Sequence, residues 1–200
     1  FGTKVADPYR WLEDDNSEET ANWVIEQNKV TDEYLSKIPF RDKLKDRFEK
    51  LYNFPKYGAP FRAGDKYYFF KNDGLQNQSV MYAKDNLESE AKVFFDPNKL
   101  AEDGTISLAT FAFSKDGKTF AYATASGGSD WNEYFVMDVE SGKKLSDHLK
   151  WIKFSGMAWK DNGFFYSRFP EPTGSELSTK NQFSKVYYHK IGDDQSKDVV

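Results

Sequence analysis

Three turns of similar build fall about fifty residues apart: Gly64-Asp65 after Phe61, Lys115-Asp116-Gly117 after Phe113, and Asp161-Asn162-Gly163 after Trp159. Each leads into an aromatic run, Tyr67-Tyr68-Phe69-Phe70, Phe120-Ala121-Tyr122 or Phe164-Phe165-Tyr166. Further short apolar runs, such as Val80-Met81-Tyr82, Val93-Phe94-Phe95, Tyr134-Phe135-Val136 and Val186-Tyr187-Tyr188, lie between turn residues. Such runs read as strands, and their period lies in the ~40–50-residue range of four-stranded propeller blades. Residues 54–100, 101–150 and 151–200 therefore read as three successive blades. Propellers close with about four to eight blades, so three cannot complete a ring. Either the chain continues past Val200, or the units belong to a less regular β structure.

Residues 1–53 follow a different period. Asn16 or Ser17 can cap a helix whose first turn carries Glu18 and Glu19, where acids meet unpaired N–H groups and the positive end of the dipole. Ala21, Val24, Ile25, Leu35 and Ile38 recur at helical spacing until Pro39. A second stripe, Leu44, Phe48, Leu51 and Tyr52, follows with charged residues opposite. Two such stripes need a surface to cover. The chain opens Phe1-Gly2-Thr3, so any initiator or signal segment is expected outside it.

Composition narrows the function. A net charge of -4 provides no attraction for phosphate backbones or anionic lipid, so nucleic acid and membrane are not expected partners. The absence of cysteine excludes disulfides, thiolate catalysis and thiolate metal sites. An aromatic content of 18% favours packed strands over disorder.

No Gly-x-Ser-x-Gly, Gly-x-x-x-x-Gly-Lys, Gly-x-Gly-x-x-Gly or His-Glu-x-x-His motif is present. His148 and His189 are the two histidines, and both are expected as half-exposed side chains, since no partner for a triad is legible. Glu13, Asp14, Asp15, Glu18 and Glu19 suit helix capping better than a metal, and Asp193, Asp194 and Asp198 lack calcium-loop spacing. No metal and no cofactor are expected. The loop Ser126-Gly127-Gly128-Ser129-Asp130-Trp131 can hold a carboxylate out to a cationic peptide end. The simpler reading is that Asp130 bonds its own turn while Trp131 fills a blade interface. Phe154, at a strand start, suits either core or pocket.

The opening Asp7-Pro8-Tyr9-Arg10-Trp11-Leu12-Glu13-Asp14 resembles the entry signature of the prolyl oligopeptidase family of serine peptidases. Asn72 to Tyr82, Val93 to Asn98, Gly128-Ser129-Asp130-Trp131, Lys153 to Trp159 and Val186 to His189 resemble that family in order and spacing, over essentially the whole chain. The resemblance implies a mainly β chain: N-terminal helices and about the first three blades of a seven-bladed propeller, which caps an α/β-hydrolase domain carrying the triad. The helices of 1–53 would pack on that domain, and no catalytic residue would lie in this chain. Implied roles are a lining position for Phe154 in the pocket for the third residue upstream of the cut, and an acid facing the interdomain cavity for Asp130. Gly156 departs from relatives with cysteine there, which puts the pocket's shape in question. The implied activity is hydrolysis of short peptides after proline by an activated serine, the propeller excluding folded proteins by size. The implied partners are those peptides and the hydrolase domain, in a monomer. Relatives with this pattern are bacterial, some exported, which favours periplasm over cytoplasm. Two alternatives stand: an oligopeptidase B-like enzyme cutting after Arg or Lys, and a non-catalytic propeller that binds peptides or proteins.

Overall fold

The computed structural model describes residues 2–177 and 179–200. It divides into two compact units, residues 1–51 with 172–180, and residues 52–171 with 181–200.

In the first unit, α1 (Glu18–Ser36) starts at Ser17, whose Oγ accepts from the Thr20 N–H at 3.1 Å. The cap expected at Asn16 or Ser17 is thus Ser17. Arg41–Tyr52 forms α2. Neither helix buries a residue, and Val24, Ile25, Leu44, Phe48 and Leu51 are all exposed. Trp11 meets Trp23 edge to face, and the Ser175 hydroxyl donates to Asp15.

The second unit is a series of antiparallel meanders. The first comprises β1 (Lys56–Tyr57), β2 (Phe61–Ala63), β3 (Lys66–Asn72), β4 (Val80–Lys84) and β5 (Lys92–Phe95). Both β1 and β2 pair with β3, at its two ends, so they are one edge strand interrupted at Pro60. The second is the four-stranded run β6 (Ile106–Phe113), β7 (Thr119–Ser126), β8 (Asn132–Asp138) and β9 (Lys144–Ile152). The third is β10 (Ala158–Lys160), β11 (Gly163–Arg168) and β12 (Lys185–Lys190), with a Tyr188–Val199 bridge beginning a fourth row. β9 runs on to Ile152, so residues 151 and 152 belong to the second sheet.

The sheets pack face to face, and β7 shows how. Its side chains alternate: Phe120 and Tyr122 join Tyr68, Met81 and Phe95 in one core cluster, while Ala121 and Ala123 join Tyr134, Leu149, Phe164 and Tyr166 in another. Where the first two hairpin turns meet, backbone touches backbone. Gly64 and Gly117 both have positive φ, and a Cβ on Gly117 would lie 2.6 Å from the Gly64 Cα.

His189 overturns an expectation. It is fully buried, not half-exposed: Nδ1 lies 2.7 Å from Asp198 Oδ1 and Nε2 lies 3.0 Å from Asp147 Oδ1. Asp198 also accepts from the Tyr166 hydroxyl, and Asp147 accepts from the Gly192 N–H. Carboxylates only accept, so two of them on one ring select the doubly protonated imidazolium. Burial alone would lower the His189 pKa, but the hydrogen bonds and charges of Asp147 and Asp198 outweigh it and raise it to about 9. Burial would raise the Asp147 carboxyl, yet its bonds to His189 and Gly192 hold it below the usual carboxylate value. His148 is half-exposed as expected, paired with Glu133 at 2.6 Å.

Two tests follow from this packing. Gly117→Ala is expected to destabilise the protein by about 2–3 kcal/mol in urea unfolding, through left-handed strain and the clash with Gly64. The His189 contribution is complete below the ordinary imidazole value of 6.5, declines above it and is gone once pH passes about 9. On the acid side, the Asp147 contribution is lost as pH falls through its lowered value. The stability difference between wild type and His189→Gln is therefore expected to shrink between about pH 6.5 and pH 9; a constant difference across that range would contradict the imidazolium assignment.

Candidate functional site at the propeller rim

The register of β8 and β9 builds the site. Asn132 pairs with Ile152, so the loop before β8 and the connection after β9 emerge at the same end of the second sheet. This brings Asp130 and Phe154, both expected as site residues, to one rim.

Gly127 and Gly128, at positive φ, turn the chain out of β7 into open space. Asp130 is exposed, and its carbonyl accepts from the Asn132 side-chain amide. Beside it, Trp131 packs edge to face on Trp151 at 5.8 Å and on Phe169 at 6.1 Å, between the second and third sheets. The Lys153 ammonium sits 3.9 Å above the Trp131 ring centroid, a cation–π contact that fixes a positive charge near the loop.

Phe154 is 81% exposed and has φ +53°, a left-handed conformation that non-glycine residues adopt at a cost. Its neighbours hold it there. The Tyr134 hydroxyl, from inside the core, donates to the Ser155 carbonyl at 2.6 Å. Ser155 Oγ accepts from the Ser167 N–H at 2.8 Å and donates to the Gly156 carbonyl. An apolar ring is thus held in water on a strained backbone that the core anchors from two directions. Gly156 is exposed with open space around it, so no side chain closes that edge.

The rim can offer an exposed carboxylate and an exposed aromatic face, a combination that suits a peptide's cationic end and an apolar side chain. Sequence reading singled out Asp130 and Phe154 but not Lys153, Trp151 or Phe169, whose roles come from contacts between strands. Both His189 nitrogens are engaged by carboxylates, leaving none to take a proton from a hydroxyl. Among the described residues no cluster of three His, Cys, Asp or Glu is placed to hold a metal, and no helix is long and apolar enough to cross a membrane.

Stacked antiparallel meanders with aromatic interfaces and a rim of exposed loops define a β-propeller. The family model for the prolyl oligopeptidase N-terminal beta-propeller domain matches residues 1–200, and the chain belongs to that family. It is 50% identical over 200 residues to a prolyl endopeptidase of Elizabethkingia meningoseptica, covering 99% of this chain and 28% of that protein. A solved prolyl endopeptidase structure superposes with a TM-score of 0.88 at 32% identity, over 99% of this chain and 30% of that one. Oligopeptidase B from Leishmania major shares the fold, with a TM-score of 0.76 at 17% identity over 96% of this chain and 27% of that one. The chain therefore spans under a third of the length of these relatives, and its match is to their propeller rather than to a catalytic domain.

The strain at Phe154 gives a direct test. Phe154→Gly is expected to be more stable than Phe154→Ala by about 1 kcal/mol, because only glycine occupies this backbone region freely. Equal thermal midpoints for the two variants would show that the backbone there is unstrained.

Proposed function

We propose that this chain is the leading helical segment and the first three blades of a serine peptidase that cuts short peptides after proline. The nucleophile, acid and base belong to a hydrolase domain elsewhere in the polypeptide. The propeller acts as a size filter over that domain, and the exposed apolar stripes of α1 and α2 are faces for docking on it. The observation carrying this reading is Phe154: a strained, anchored, water-exposed aromatic is poorly explained by stability and well explained by contact with a ligand.

In this reading Phe154 receives the apolar side chain of the third residue upstream of the cut. Asp130 attracts a cationic peptide end, and Lys153 over Trp131 keeps the acid's loop in place. Binding away from the scissile bond orients the substrate, so its loss appears in kcat/KM. Open space at Gly156 leaves room for a larger side chain in that pocket.

The test uses the full-length protein. Phe154→Ala is expected to lower kcat/KM about ten- to hundredfold for peptides with a large apolar residue at that upstream position, as loss of an apolar contact of ~1–3 kcal/mol predicts. Substrates too short to reach it should be unaffected. Asp130→Asn should raise KM for peptides with a free amino end and remove part of its salt dependence. A substrate panel preferring Arg or Lys at the cleavage position would instead support the oligopeptidase B-like reading, and no hydrolysis at all would support a binding propeller.

A further inference from the structure

Arg168 and Lys185 are directly opposed across β11 and β12. Opposed residues of an antiparallel pair share a face with Cβ atoms about 5 Å apart, where like charges repel. Such a pair normally recruits a carboxylate. Among the described residues neither cation has a carboxylate within ion-pair distance, and Arg168 Nε is buried without a hydrogen-bond partner. The Arg168 guanidinium lies instead over the Tyr187 ring, 4.3 Å from its centroid.

Both cations line an open cleft of about 670 Å³, together with Trp151, Phe169, Phe183 and Tyr187. Among the described residues, none of the other charged groups lining the cleft forms an ion pair with either cation. His148 and Lys150 share Glu133. Asp194 is occupied in capping, accepting from the Ser196 N–H and hydroxyl, and Glu171 makes no ion pair. Arg168 and Lys185 thus form an opposed pair of cations without a direct carboxylate partner, beside three aromatic faces in a cavity large enough for a side chain and a terminus, with Glu171 and Asp194 as the acids a ligand would have to outcompete.

We propose that this cleft binds a carboxylate borne next to an aromatic or large apolar side chain, as at the C-terminus of a peptide. The carboxylate bridges Arg168 and Lys185 and removes their repulsion, with a planar guanidinium suited to paired N–H···O bonds. The neighbouring side chain packs on Trp151, Phe169 or Phe183. Nothing in this depends on the peptidase reading, because the readout is binding and not turnover.

The experiment is calorimetric titration of the full-length protein with N-acetylphenylalanine, its uncharged amide, acetate and inorganic phosphate. The acid is expected to bind at least about tenfold more tightly than the amide, acetate or phosphate, since both halves of the ligand contribute. Lys185→Gln and Arg168→Gln should each weaken the acid about tenfold or more and leave the amide unchanged. Without ligand, Lys185→Gln should keep or raise the thermal midpoint, because one member of a repelling pair is gone. Equal binding of acid and amide, no binding of the acid up to about 10 mM, or undiminished binding in a folded Lys185→Gln protein would overturn the proposal. Acetate or phosphate binding as tightly as the acid would also overturn it, in favour of a generic anion site.

Discussion

The second sheet is covered on both faces, and the rest of the propeller unit depends on that double burial. A strand in such a sheet serves two interfaces at once: Phe120 and Tyr122 fill one side of β7 while Ala121 and Ala123 admit large rings from the other. Large residues on both faces would push the sheets apart, and small ones on both would leave voids. Sliding the strand by one residue would exchange the two faces. The register that brings Asp130 and Phe154 to one rim is therefore enforced by packing in the core.

The parts of this arrangement that were legible in the sequence are those with local causes. Aromatic runs between Gly, Asp and Asn turns mark strands because the pleat and the turn chemistry act within a few residues. The α1 start could be read to within one residue, Asn16 or Ser17, from a capping side chain ahead of Glu18 and Glu19. His189 was misread because its partners, Asp147 and Asp198, lie 42 and 9 residues away, and only the third sheet's packing brings them to one ring. Similarly, nothing in Lys153-Phe154-Ser155 announces a left-handed backbone, which arises because Tyr134 and Ser167 capture Ser155. The interrupted edge strand of the first sheet had a visible cause in Pro60, yet its two pieces still pair with a single neighbour.

Polar groups in the two regions serve different ends. The imidazolium between Asp147 and Asp198 is sealed from water and spans β9, β12 and the segment after the last 3-10 turn, so it specifies how those pieces meet. At the rim the Asp130 carboxylate remains in solvent, where it can exchange water for a ligand at small cost, while Lys153 is buried over the Trp131 ring. Asp130 is thus accessible in a way that His189 is not.

The close approach of Gly64 and Gly117 has a consequence for how such a chain can vary. That contact lies at the hairpin-turn end of the first two sheets, opposite the end from which the 126–132 loop emerges. There the interval between neighbouring units is set by bare main chain, independent of any side chain's size. With the pitch fixed at one end, connections at the other can lengthen, shorten or change composition without altering the angle between blades. The fold thus separates the part that measures spacing from the part that is free to acquire specificity.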